Sequence, residues 1–93
     1  MSNSDYTGKV IRLDTFSSAI SIPNIKIFSI EWTNMEEIGD ECRISADADG
    51  PNFIEWACHT PFYPHIKYFD SQITNIYIAA GGVGSGVVII YVR

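Results

Sequence analysis

Apolar and polar residues alternate with a period of two along most of this chain, a pattern typical of β-strands with one buried face. Segments with this pattern predict strands at 9–14, 17–23, 25–32, 41–47, 53–59, 73–80 and 87–92. Turn residues separate the strands roughly every 8–12 residues, which favours a β-sandwich or a small barrel. Residues 60–72, which contain two prolines and four aromatic residues, form either a long ordered loop or an edge strand.

These elements predict an all-β fold: a small antiparallel β-sandwich of jelly-roll type, with seven to eight short strands in one domain over residues 9–93. Polar residues 1–8 are expected to form a flexible N-terminal arm. The composition agrees with this fold class, because 15 Ile, 5 Val and 5 Thr stand against a single Leu. β-Branched side chains favour a pleated sheet, whereas helical proteins depend on Leu and Ala.

The alternation changes phase within the third predicted strand. Phe28, Ile30 and Trp32 fall on one face of that strand. Ile25 and Ile27 fall on the other face. Either a β-bulge lies near Ile27, or the two ends of the strand cover different neighbours.

Turn residues predict how the strands connect. Pro23-Asn24 is expected to end a strand, because proline cannot donate to the hydrogen-bond ladder. Asp49-Gly50 predicts a hairpin turn. The glycine-rich run at 81–86 predicts a second hairpin, between 73–80 and 87–92.

The last strand carries apolar residues on both faces, whereas a sandwich strand buries only one face in its own core. Either a second subunit covers the other face, or a closed barrel or a covering loop does so. We expect a homo-oligomer, a dimer or a trimer, because uncovered apolar area and an unpaired sheet edge favour association. The expected interface residues are Phe62, Tyr63, Tyr68, Phe69, Val88, Ile90 and Val92.

Charge and hydropathy limit the partners. Eleven acidic residues against six scattered basic ones give a formal net charge of −5, so binding to nucleic acid is not expected. Eight of the acidic residues fall within 31–55, where they form either a solvated surface or a negative patch for a basic partner. The chain starts without an apolar signal run, and no stretch reaches 18 apolar residues, so neither export nor membrane insertion is expected.

Few residues offer reactive or metal-binding chemistry. The soft metal ligands lack the close pair that a zinc site requires; they are Cys42, Cys58, His59 and His65. The turn at 47–50 lacks the bidentate glutamate of a calcium loop, and the run at 81–86 lacks the lysine of a phosphate loop. We therefore expect no metal, no cofactor and no enzyme activity. The two cysteines can form a disulfide only if their strands pair in a suitable register.

The C-terminal two thirds of the chain contain a recurrent order of features: a strand ending in Trp, a Gly-Asp connection, an acidic strand with an Asp-x-x-Gly-like turn, and a terminal apolar pair of strands. These features are Ile30-Glu31-Trp32, Gly39-Asp40, Asp47-Ala48-Asp49-Gly50, Ile73–Ala80, and Ser85-Gly86 followed by Val87–Arg93. Over residues 25–93 the chain resembles short virion proteins of tailed bacteriophages, of the capsid decoration, cement or fibre type. The aromatic middle segment departs from this pattern.

The resemblance implies a non-enzymatic structural protein located in the virion. Among virion proteins, it favours a capsid cement or decoration subunit. Its implied partners are sister subunits and the major coat protein. An alternative function is a carbohydrate-binding module of a tail fibre or a cell surface, because exposed aromatic rings can cover the apolar faces of sugars. The aromatic residues for such a platform are Trp32, Trp56, Phe62, Tyr63, Tyr68 and Phe69.

Overall fold

The computed structural model describes residues 10–92, apart from the side chains of Ser71 and Gln72. Its strands are β1 (Val10–Leu13), β2 (Ile20–Thr33), β3 (Glu41–Ser45), β4 (Asn52–Ala57), β5 (His65–Ile78) and β6 (Val87–Val92). All pairs are antiparallel, and the strands form one sheet in the order β1-β6-β2-β5-β3-β4. The all-β class is confirmed, whereas two facing sheets and a jelly-roll order are not. The arm expected at 1–8 lies outside the described residues.

Strand β2 continues through the Pro23-Asn24 pair, which the sequence predicts as the end of a strand. Asn24 adopts a left-handed φ of 54°, and its backbone N–H donates a hydrogen bond to Oδ1 of Asn75 at 3.0 Å. The pairing with β5 shifts register between Ile22 and Ile25. The predicted break is therefore wrong, because a bulge accommodates the proline while pairing resumes beyond it.

Strand β5 absorbs most of the segment predicted as a loop or an edge strand. Among the described residues it pairs with β3 only at Tyr77, so residues 65–72 form a strand that is paired on one side by β2. The edge-strand alternative therefore describes this stretch and the loop alternative is wrong. The His65 ring at its start stacks on Trp32 and on Trp56, with ring centroids 5.6 Å apart in both pairs. This stack joins β2, β5 and β4, and it explains why the aromatic-rich segment becomes ordered strand.

A bulge at Phe28 determines which side chains of β2 face inward. Between Ile27 and Ser29, β2 advances by two residues while β6 advances by only one, from Val92 to Tyr91. The pairing with β5 is also irregular between the same two β2 residues. An extra residue on one strand reverses the alternation, because side chains repeat with a period of two.

The bulge places four large side chains of β2 on one face. Ile25 and Ile27 before it, and Ile30 and Trp32 after it, are all buried. Phe28 remains on the opposite face and is 39% exposed. Of the two alternatives that the phase change leaves open, the bulge near Ile27 is confirmed. The prediction that Phe28 shares a face with Ile30 and Trp32 is wrong, because it assumes an unbroken period of two and the bulge interrupts that period.

The last strand pairs with β2 and β1 instead of forming a hairpin with β5. The predicted second hairpin is therefore wrong, whereas the hairpin of β3 and β4 around Asp49-Gly50 is confirmed. The connection from β5 to β6 runs beside β3. There the backbone N–H of Arg43 donates a hydrogen bond to the carbonyl of Gly82 at 3.1 Å, and the backbone N–H of Gly84 donates one to the carbonyl of Glu41 at 2.9 Å. These bonds provide partners for backbone groups of β3 that are not hydrogen-bonded to a neighbouring strand.

Inward side chains from all six strands form a single core. Val88 and Ile90 are completely buried in it, and Val92 is only 6% exposed. The prediction that these three residues form a subunit interface is wrong, because the chain's own core already covers them. Burying each of these side chains contributes about 1.5–3 kcal/mol to folding. The other face of β6, with Ile89 and Tyr91, points away from this core.

We predict that Gly86→Ala destabilises the fold much more than Gly81→Ala. Gly86 has a φ of 91°, and a Cβ at this position would lie 2.5 Å from the carbonyl oxygen of Thr33. Gly81 also has a positive φ, 73°, but a Cβ there meets no atom within 4 Å. Backbone strain alone should cost the Gly81 variant about 1 kcal/mol, and strain plus the clash about 3 kcal/mol or more at Gly86. Urea denaturation measures both losses, and equal losses would contradict the placement of Gly86.

Candidate interaction surface

Strands β1, β6, β2 and β5 present a second face that points away from the core, and we call it the outer face. The strand register places its side chains in two cross-strand rows. The first row is Val10–Tyr91–Ser29–Tyr68, and the second row is Arg12–Ile89–Glu31–Ile66. Each row runs across four neighbouring strands that lie about 4.8 Å apart, so its members are lateral neighbours.

The outer face is largely apolar and solvent-accessible. Val10 is 42% exposed, Ile66 is 46% exposed and Tyr68 is 66% exposed. The Phe28 ring, turned outward by the bulge, meets the Tyr68 ring edge to face at 5.9 Å between centroids. Ser29, in the same row as Tyr68, is buried although it lies on this face. A contiguous apolar surface of this kind marks an interaction site more often than scattered exposed residues do.

Two opposite charges lie in the second row, on either side of Ile89. Arg12 forms an ion pair with Asp14 at 2.6 Å, and its side chain is 40% exposed. Desolvation acts to raise the pKa of Asp14. Hydrogen bonds from Arg12 and Thr15, together with the Arg12 charge, outweigh that effect and lower the pKa below its ordinary value. Among the described residues, no ion pair includes Glu31.

The structure separates the four aromatic residues that the sequence predicts as an interface. Tyr68 lies on the outer face. Phe62 and Tyr63 lie in the loop before β5 and are 62% and 64% exposed. The Tyr63 and His65 rings meet edge to face, with 6.4 Å between their centroids. These two loop residues are therefore next to the Trp-stacked end of β5 and not in the two rows.

Phe69 lies on the inner side of β5, towards β4. Its ring packs edge to face against Phe53 at 5.9 Å between centroids. The ammonium group of Lys67 lies 5.5 Å above the ring of Phe69 and also donates a hydrogen bond to the carbonyl of Phe53 at 3.3 Å. Phe69 therefore packs between strands, and only Tyr68 of the four joins the outer face.

Five side chains of the outer face are absent from the predicted interface. They are Val10, Phe28, Ile66, Ile89 and Tyr91. The last strand is apolar at odd and at even positions, and Ile89 and Tyr91 are among the odd ones. The sequence therefore contains the information that a second face of this strand is apolar. Nothing in the alternation indicates Phe28, whose orientation depends on the bulge.

Several acidic residues of the segment 31–55 serve local structure. Asp40 accepts a hydrogen bond from the hydroxyl of Ser85 at 2.5 Å. Asp47 accepts one from the backbone N–H of Asp49 at 3.1 Å, within the β3–β4 turn. These contacts favour the interpretation that the acidic residues stabilise loops and turns and remain solvated.

Residues 10–92 contain no group of three or more His, Cys, Asp and Glu side chains arranged to hold a metal ion. Within the same residues, no helix is long and apolar enough to cross a membrane. No family model, curated protein or solved structure matches this chain.

Both cysteines are buried and free. Cys42 pairs with Trp56 across the β3–β4 hairpin, so Cys58 is its diagonal neighbour. A disulfide requires Cβ atoms about 3.8 Å apart, which is closer than diagonal neighbours in a sheet come. Burial raises the pKa of the Cys42 thiol to about 12.

We predict that the native thiols react very slowly with Ellman's reagent at pH 8. A rise in pKa from 9.0 to about 12 lowers the thiolate fraction of Cys42 by about 1000-fold, and the thiolate is the reactive form. The Cys58→Ala variant isolates Cys42, and unfolding in urea should restore ordinary reactivity. Because the folded state holds this proton more tightly, stability should also fall as pH rises from about 9 towards 12. Rapid labelling of the folded variant would contradict the burial of Cys42.

Proposed function

We propose that the protein is a structural subunit of a bacteriophage virion, a capsid decoration or cement protein that self-associates and binds the coat protein shell. The observation that carries this proposal is the outer face, an exposed apolar surface on four hydrogen-bonded strands. The resemblance of residues 25–93 to phage virion proteins supports the location in a virion.

The way the fold is built suits such a role. One core formed by all six strands makes the outer face a rigid surface, so binding orders few side chains and loses little entropy. A subunit that contacts both its sister copies and the shell gains from multivalency, since each contact raises the effective concentration of the next. Many modest contacts of this kind would strengthen a shell without any reaction.

Carbohydrate binding is the second candidate, and a cleft next to β5 favours it. The cleft, of about 480 Å³, lies between the β3–β4 turn and β5. Phe53 and Phe69 supply apolar surface, while Lys67 and Asp70 supply polar groups. Protein sites that bind sugars combine apolar contact with a few well-placed polar groups.

A sedimentation experiment tests the proposed function. Mixed with shells assembled from the major coat protein of its own phage, the full-length chain should sediment with the shells through a sucrose gradient. Decorated shells should also withstand heating to a higher temperature than bare shells, because a bound partner stabilises the state that it binds.

A chain that remains at the top of the gradient with every form of the shell would contradict the proposal. Tyr68 lines the cleft and Tyr63 does not, so specific retention on a glycan array that is lost in Tyr68→Ala but kept in Tyr63→Ala would favour the carbohydrate-binding alternative. These two tyrosines are almost equally exposed, at 64% and 66%, so each is a matched control for the other.

A further inference from the structure

The outer face carries its two charges in an arrangement that is complementary to itself. Arg12 and Glu31 occupy the same cross-strand row, one strand on each side of Ile89. A two-fold axis that runs along β6 and passes over Ile89 exchanges the positions of β1 and β2. This rotation therefore places the Arg12 of one copy opposite the Glu31 of the other, twice in each pair of copies.

We propose, resting on the self-association in the proposed function, that the outer face packs against the outer face of a second copy about this axis. The occupant of this apolar face is therefore the same chain. The two sheets meet face to face, the packing in which strands of both sheets run within about 30° of each other and the sheets lie about 10 Å apart.

The apolar positions of the face agree with the same rotation. Ile89 meets its own copy on the axis, and so does Tyr91. Val10 in β1 moves to a position opposite Ser29, beside the exposed ring of Tyr68. The two side chains of the first row that are most open to solvent, Val10 and Tyr68, are thereby brought together across the interface.

The state of the two charges also suits an interface between copies. The Nη1 atom of Arg12 donates to Asp14, yet the guanidinium has five N–H donors, and the side chain is 40% exposed. Arg12 can therefore bind a second carboxylate without breaking its first pair. Glu31 takes part in no ion pair within the part of the chain that the structure describes. A carboxylate on an apolar face is costly to cover unless it gains a cation, and the second copy supplies one.

A different protein is a less suitable occupant. Arg12 and Glu31 lie on two strands that are separated by β6. A partner for this face must therefore present an acidic and a basic group the same distance apart, with apolar residues between them. The outer face itself has this composition, whereas a purely basic partner would leave Arg12 opposed by like charge. Self-complementarity of this kind is the requirement for an isologous dimer.

Charge exchange tests the proposed interface. The single variants Arg12→Glu and Glu31→Arg place like charges opposite each other, so each should weaken the dimer by about tenfold or more. The double variant restores both ion pairs between the copies with their signs reversed and should recover most of the lost affinity, short of the wild type because the carboxylate at position 12 then lies beside Asp14. Analytical ultracentrifugation from low to high micromolar concentration measures the equilibrium, and circular dichroism confirms that each variant remains folded.

The chain offers matched controls for these variants. Arg43 is also a strand arginine that pairs with an acidic residue two positions away, Glu41, but it lies on β3, outside the outer face. Arg43→Glu should therefore leave dimerisation unchanged. Asp14→Asn removes the internal partner of Arg12 and should leave the dimer intact, because the proposed contact is with Glu31.

The possible outcomes separate this inference from the proposed function. A dimer that is insensitive to both single variants, or a trimer, would overturn the outer-face interface while leaving self-association in place. A wild-type chain that stays monomeric at all concentrations but binds coat protein shells would overturn the inference and retain the virion role. A monomer that binds no shells would overturn both. Loss in the single variants with recovery in the double variant would support the interface.

Discussion

An antiparallel sheet has two faces, and one core can cover only one of them. In this protein the inward side chains of all six strands enter a single core, and the four strands β1, β6, β2 and β5 leave much of their other face open to solvent. That outer face would be unremarkable if it were polar, as it is in most sheets of this kind. Here it carries exposed Val10, Ile66 and Tyr68. The chain therefore carries more apolar side chains on these strands than its own core covers.

The bulge at Phe28 contributes to both faces at once. The extra residue keeps Ile27 and Ile30 on the core side, although their sequence spacing would otherwise place them on opposite faces. The same residue turns the Phe28 ring outward against Tyr68. Replacing it with a regular ladder would expose part of the core of β2, so the fold and the apolar outer face depend on one local irregularity.

Much of the fold could be predicted from the sequence, and the rest depends on contacts between distant residues. Alternation gave the β class, and local chemistry predicted the Asp49-Gly50 hairpin. The continuity of β2 through Pro23-Asn24 depends on a hydrogen bond to Asn75, 51 residues away, which no local pattern contains. The face of β6 that enters the core could not be chosen from two equally apolar phases; pairing with β1 and β2 decides it. The interface prediction consequently selected the buried face of that strand.

Hydroxyl-radical footprinting at increasing protein concentration tests most directly whether the outer face is the surface that a second copy covers. Tyr63 and Tyr68 are almost equally exposed in the single chain, so they start from comparable reactivity. If the outer face packs about the proposed axis, oxidation of Ile89, Tyr91 and Tyr68 falls as concentration rises, while oxidation of Tyr63 and Phe62 stays constant. Protection of the Tyr63 loop with unchanged Tyr68, or no protection at any concentration, would contradict the outer-face dimer.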